Sequence, residues 1–374
     1  MRVAIVGCGF VADFYVKTLR AHPELELVGA TDEDPDRASR FSAFHAVHIY
    51  GSLEDLLGDP QIDIVLNLTN PRSHFVVSKA CLAAGKHVYS EKPLALELSE
   101  AEELVELAEH RGLHLSSAPC SLLGETAQTV WKALRDEAVG PVRLVYAEQD
   151  DGMVHRAPYR KWFSESGTPW PWQDEFEVGC TIEHAGYYLT WLPAFFGPAR
   201  RITAFSSCVI PDKQTVVPLG ASAPDFSVAS IQFASGVTAR LTCSLVAPHD
   251  HSLRIFGDEG VLGTRDCWHY GSPVYTRRFV NIRRRTFISP LKKKVPLVRK
   301  WDPPFRYRGS QQMDFCRGVA DLAGAITEER PCRLSARFCL HVNELVLAIS
   351  NASTTGASCE ITSDFEPIEP MPWA

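Results

Sequence analysis

The chain has 374 residues, 45% hydrophobic and 22% charged, with a formal net charge of −7; this excludes a disordered or fibrous protein and gives no general attraction to nucleic acid. Its 11 cysteines include no C-x-x-C pair and mostly have apolar neighbours, so they read as reduced core thiols, and neither a disulfide frame nor a bound metal is expected. No apolar run reaches the ~18–20 residues of a membrane span, and the first residues open straight into a strand pattern, so a cytoplasmic globular protein of two domains is expected.

The first elements follow a βα rhythm. "VAIVGCGFVADFYVKTLRAH" is a β-branched run, then Gly7-x-Gly9-x-x-Ala12, then a helical pattern. In that context Gly7 permits a tight turn, Gly9 lets the backbone approach a pyrophosphate, and Ala12 allows close helix packing, with Cys8, Phe10 and Val11 completing the turn. The helix N-terminus offers free N–H groups to phosphates. A second strand ends in Asp32, placed to accept the ribose hydroxyls and repel a 2′-phosphate, which favours NAD; Arg37 stands close enough to keep NADP as the alternative.

Further along, "IDIVLNLTN" is a continuous apolar strand of the doubly covered parallel kind, with Thr69, Asn70, Pro71 and His74 at its carboxyl end, where ligands bind in open α/β sheets. "KHVYSEKPLAL" is a strand closing on Glu91-Lys92-Pro93, and "LHLSSAP" is a final strand. Residues 1–120 thus read as a parallel, doubly wound α/β domain that binds dinucleotide.

From 121 to 374 the pattern changes to a helix in "GETAQTVWKALRDEAVG" and then long alternating strands, with Gly236 as a hairpin turn. This predicts an α+β domain built on a large, mostly antiparallel open sheet, with a late helix at about 335–350 packing back towards the first domain. Within it, "GCTIEHAGYYLTWL" places His184 and Tyr188 four apart in a nearly apolar run. On a regular helix they share a face, about 6 Å apart at Cβ. Two readings stand: acid–base equipment for an alcohol or carbonyl, or core side chains with satisfied hydrogen bonds.

Two stretches stand apart. Residues 150–175 hold His155, Arg156, Arg160, Lys161, Trp162, Trp170 and Trp172, suited to stacking on sugar rings and binding anionic groups, or to tucking a loop on the core. Residues 271–300 carry ten Arg or Lys and no acid. That patch suits an anionic substrate, the surface of an anionic membrane through 277–300, an acidic partner surface, or simply solvent. No nucleic-acid motif accompanies the charge.

The Gly7–Ala12 turn, "TNPRSH" and above all "AGKHVYSEKPLAL" resemble the glucose–fructose oxidoreductase/inositol dehydrogenase (Gfo/Idh/MocA) family, and segments such as "SVASIQFASGVTARLTC" and "LRIFGDEGVLG" continue the likeness over nearly the whole chain. The resemblance implies that Lys92 serves catalysis. It aligns His184 and Tyr188 with the family's usual Asp-x-x-x-His, His184 being a departure. It also implies substrate contacts from Lys92, His155, Arg156, Arg160, Trp162, Trp172, His184 and Tyr188, and a homodimer or homotetramer formed through the second-domain sheet. The expected activity is an NAD(P)-dependent dehydrogenase or ketoreductase on a hydroxyl or keto carbon of a sugar, cyclitol or nucleotide sugar, anionic ones included. A redox-neutral NAD enzyme (epimerase or eliminating glycosidase-like) and a non-catalytic dinucleotide sensor are the alternatives.

Overall fold

A computed structural model describes residues 1–220, 223–306, 311–356 and 358–374. The chain divides into two compact units: Met1–Cys120 with Ala157–Val178 and Asp314–Leu347, and Ser121–Arg156 with Gly179–Met313 and Ala348–Ala374. One break falls between Cys120 and Ser121, and residues 121–374 are shared between the two units. Segment 157–178 counts with the first unit because side chains fasten it there: Lys17 to Glu165 at 2.6 Å, Arg72 to Asp174 at 2.6 Å and to Glu177 at 3.1 Å. The late helix Ala336–Ser350 lies mostly in that unit too, and Arg337 pairs with Glu109 at 2.7 Å.

Five parallel strands form the first sheet: β1 (Arg2–Val6), β2 (Glu26–Thr31), β3 (Ile64–Asn67), β4 (His87–Ser90) and β5 (Leu115–Ser117), ordered β2-β1-β3-β4-β5. All of β3 is buried, as its unbroken apolar run requires when helices cover both faces. The strand order reverses between β1 and β3, so the turn after Val6 and the segment after Asn67 leave neighbouring strand ends at the switch point.

The second unit holds a ten-stranded sheet. Its strands are β6 (Val142–Asp150), β7 (Ala199–Ser207), β8 (Phe226–Phe233), β9 (Thr238–Ser244), β10 (Leu253–Gly257), β11 (Gly260–Thr264), β12 (Val274–Ile282), β13 (Arg285–Ile288), β14 (Lys293–Val295) and β15 (Ser358–Glu360). The order is β13-β12-β11-β10-β6-β9-β8-β7-β15, with β14 on β12; β6 and β9 run parallel and the other pairs antiparallel. Gly236, at φ +85°, turns the β8–β9 hairpin as expected. Alternation along β6 buries Val145, Ala147 and Gln149 and leaves the intervening side chains on the open face. The basic stretch forms β12 to β14, a mostly exposed cationic arm that also presents Ile282 and Phe287.

The apolar segment around His184 departs from the regular helix its spacing predicts. Thr181–Ala185 is a π-helical turn, and the α-helix begins only at Gly186 and runs to Phe196. A π turn carries more residues per revolution, so residues four apart across it no longer align as on an α-helix. His184 and Tyr187, three apart, both set their rings against Trp268, at 5.8 and 5.2 Å between centroids.

Candidate active site

In the first unit the glycine turn is built around Gly7. Its φ is +96°, and a Cβ there would lie 2.7 Å from the Leu68 carbonyl oxygen, so no other residue fits. A Cβ at Gly9 would meet nothing within 4 Å, so the bareness of that position answers no need of the protein's own packing and leaves open backbone before the helix Ala12–Leu19. These features fit a dinucleotide pyrophosphate, for which Gly9 lets the phosphates approach and the helix N-terminus supplies N–H groups.

Asp32 does more than face a ribose. Its Oδ2 accepts from the Cys8 amide at 2.7 Å and from Arg37 Nε at 2.9 Å, while Oδ1 accepts from the Asp34 amide at 2.8 Å. The carboxylate therefore fixes the glycine turn from inside, and Arg37 offsets its charge. Asp13, in the first helical turn, would oppose phosphate if left bare. Burial pushes its carboxyl up, but hydrogen bonds from His45, Ser164 and Ser166 outweigh this and hold it below the usual range. The His45 bond is 2.6 Å and the Ser166 amide bond 2.7 Å.

Glu91-Lys92-Pro93 follows β4. The Glu91 carboxylate is buried and accepts from the Tyr15 hydroxyl at 2.7 Å and from the Lys92 amide at 3.1 Å. Burial, and then the Glu91 charge, push the Tyr15 phenol well above 10, so it remains a donor at any working pH. His74 is fully buried with both ring nitrogens on carbonyls, Pro93 at 2.6 Å and Thr69 at 3.1 Å. It ties the segment after β3 to the Glu-Lys-Pro turn and does not present its ring to a ligand. Thr69 donates to Asn67 Oδ1 at 2.7 Å, while Asn70 and Pro71 lead into a short 3₁₀ turn. Lys92 itself is half-buried.

The second unit gathers a cluster that residue spacing did not reveal. Asp150 and Asp250 exchange backbone hydrogen bonds at 3.0 and 2.9 Å, extending the β6–β10 ladder beyond its regular end. One step outward, Asp151 lies across from His249; one step inward, Gln149 lies across from His251. Alternation puts those four side chains on one face. Asp151 is nearly sealed from solvent and its two oxygens meet two imidazoles, His184 Nδ1 at Oδ2 and His251 Nε2 at Oδ1, the latter at 2.6 Å. Carboxylate contact fixes an imidazole's orientation and tautomer, so His184 is the held, hydrogen-bonding side chain here.

Tyr188 is fully buried and donates its hydroxyl to the His251 carbonyl oxygen. Burial pushes its phenol well above 10, and the neighbouring Cys267 and Asp266 add to the rise. The geometry thus supports the core reading for Tyr188 and leaves His184 as the candidate in this segment.

Of the aromatic stretch, Trp162 packs on Trp170 at 5.1 Å, and Tyr159 meets Trp172 at 6.0 Å and Phe176 at 5.4 Å. These rings form a small core of their own within the first unit, which supports the tucked-loop reading. Arg160 is exposed and lies over the Tyr159 ring, His155 is half-buried and Arg156 exposed. Asp151, His249 and His251 escaped the sequence reading because a hundred residues separate the two strands that carry them; the His-x-His spacing at 249 and 251 was the available signal.

Sequence comparison agrees with this architecture. A family described as "Oxidoreductase family, NAD-binding Rossmann fold" matches residues 1–118, and "GFO/IDH/MocA C-terminal domain" matches residues 127–263. The trans-1,2-dihydrobenzene-1,2-diol dehydrogenase of Bos taurus is 26% identical over 277 residues, covering 72% of this chain and 75% of its own. Among solved structures, the UDP-N-acetylglucosamine 3-dehydrogenase of Acidithiobacillus ferrooxidans superposes with a TM-score of 0.70 at 21% identity, covering 94% of this chain and 97% of that one. The WlbA dehydrogenase of Bordetella pertussis, solved with NADH and UDP-GlcNAcA, gives a TM-score of 0.72 at 18% identity over 97% and 99%. At these identities the two structures speak for the fold.

Proposed function

The chain belongs to the Gfo/Idh/MocA oxidoreductase family and has its NAD-binding domain, and on that premise we propose that it is a dehydrogenase or ketoreductase for a secondary hydroxyl on a six-membered ring of a sugar, cyclitol or nucleotide sugar. The relatives' named substrates support the ring: a dihydrobenzene diol and UDP-N-acetylglucosamine both carry such a hydroxyl. The observation that carries the reading is the Tyr15–Glu91 bond, which joins the helix of the glycine turn to the Glu-Lys-Pro segment and so fixes Lys92 relative to the dinucleotide turn.

The nicotinamide, when bound, accepts or supplies the hydride. Gly7, Gly9 and the helix N-terminus hold its pyrophosphate, and Asp32 holds the ribose end. Lys92 faces the reacting oxygen: in the oxidising direction its neutral amine takes the hydroxyl proton as hydride leaves for the nicotinamide, and in the reducing direction its ammonium returns that proton to the oxygen as hydride arrives. Within the second unit Asp151 orients His184, which makes it that unit's candidate hydrogen-bonding side chain.

The test is a panel of sugars, cyclitols and nucleotide sugars with NAD and NADP, followed at the NADH absorbance. Reduction of the cofactor by one ring-alcohol class, abolished in Lys92→Ala with dinucleotide binding intact, supports the reading. Silence across the panel in both directions, despite tight dinucleotide binding, overturns it in favour of a redox-neutral enzyme or a sensor.

A further inference from the structure

We infer that Asp151, His249 and His251 form a binding site for one divalent transition ion of the zinc class, at the end of the β6–β10 ladder. The observation is geometric. Each residue offers one ligand atom, and the three atoms lie within 4.8 Å of one another. With bonds of about 2.0–2.2 Å, one ion can reach all three after small side-chain adjustments.

The backbone explains why they converge. Beyond the Asp150–Asp250 bridge the alternation of side chains leaves Asp151, His249 and His251 on the same face, while Asp150 and Asp250 point the other way. The two histidine rings lie 4.1 Å apart between centroids. His251 is fully buried, Asp151 nearly so, and His249 is exposed. Two closed ligands and one open one match a three-residue site that keeps a position for water or a small ligand.

The surroundings are those of a supported site. His251 turns Nε2 towards Asp151 and leaves Nδ1 buried without a hydrogen bond, the nearest carboxylate oxygen being Asp266 Oδ1 at 3.5 Å. A ligating histidine ordinarily aims its second nitrogen at a carboxylate, and Asp266 stands in that place. The other oxygen of Asp151 meets His184. An ion here would therefore fix the carboxylate that orients His184, and it would lock the end of β6 to the strand it bridges.

Two imidazoles and one carboxylate are borderline donors. They favour zinc, cobalt, nickel or manganese over magnesium and calcium, which take all-oxygen sets. The site shares Asp151 with the support of His184, but the inference does not rest on the proposed alcohol chemistry, and its test does not use turnover.

The experiment uses tag-free, full-length protein stripped with chelator, titrated calorimetrically with zinc chloride and separately with cobalt chloride. We expect about one ion per chain at micromolar dissociation constant or tighter, visible cobalt bands of a low-coordinate nitrogen/oxygen site, and a rise of several degrees in melting temperature with zinc. His249→Ala, a change at an exposed position, should weaken binding at least about 30-fold, roughly the loss of one of three ligands. His110→Ala, on an exposed helix end of the first unit, should bind as wild type. Binding only in the millimolar range, equal affinity in His249→Ala and wild type, or magnesium competing on equal terms with zinc would each overturn the inference.

Discussion

The Tyr15 hydroxyl donates to Glu91 Oε1 at 2.7 Å, joining residues 76 positions apart, one on the helix Ala12–Leu19 and the other in the turn after β4. Because both groups are buried, the bond is shielded from water, and its loss leaves a buried carboxylate short of a donor. Tyr15→Phe should destabilise the protein by about 1–3 kcal/mol. It should also lower kcat more than it raises KM for dinucleotide, since Lys92 follows Glu91 directly. Thermal melts with steady-state kinetics check both; an unchanged melting temperature would remove the bond's assigned role.

Arg37→Ala tests whether cofactor choice runs through Asp32. The Arg37 Nε lies 2.9 Å from Asp32 Oδ2, so it offsets the charge that would repel a 2′-phosphate. Arg37→Ala should sharpen the preference for NADH over NADPH by roughly tenfold, which corresponds to about 1.4 kcal/mol. Dissociation constants from quenching of protein fluorescence decide it. A preference that falls would mean Arg37 has no part in admitting the phosphate.

His22 and Asp314 supply a pH-dependent clasp within the first unit, with Nε2 to Oδ2 at 2.9 Å. Burial pulls the His22 pKa down, but the hydrogen bond and charge of Asp314, with Glu24, outweigh this and raise it above 6.5. The folded state therefore favours the protonated form. The resulting stability is fully present below about pH 6.5 and is lost as pH rises through the raised folded value. The destabilisation by His22→Gln should accordingly be larger at pH 6 than at pH 9, which chemical denaturation at the two pH values measures.

Tyr188 and His184 should separate cleanly. Tyr188→Phe removes one buried donor from the His251 carbonyl and should cost about 1–2 kcal/mol of stability, a fall of roughly 2–6 °C in melting temperature. His184→Ala should instead act chiefly on turnover, lowering kcat/KM by about 10²-fold. If Tyr188→Phe abolished turnover without moving the melt, the core assignment of Tyr188 would fail.

The glycine turn was legible because its physics is local. Gly7 needs its conformation within a few residues of β1, and the apolar run of β3 needs cover on both faces wherever it sits. The Glu-Lys-Pro turn was legible as a pattern, but the phenol that fixes it was not. Tyr15 looks in sequence like one aromatic among the apolar positions of a helix, and only packing brings its hydroxyl to Glu91. The tryptophans of 150–175 could equally have stacked on a ligand; the rings they met were Tyr159, Phe176 and one another.

The sequence by itself determined the succession of strands and helices in residues 1–120 and the dinucleotide turn, because each depends on neighbours within one βα unit; it marked Lys92 only through the Glu-Lys-Pro pattern. Tertiary structure alone decided the role of the apolar segment around His184. A π turn, held in a fully buried run, reset the register of His184 and Tyr188, and the pairing of Asp150 with Asp250 set Asp151 and His251 against them. Neither can be read locally: the first depends on what the helix packs against, and the second on a strand contact across a hundred residues of chain.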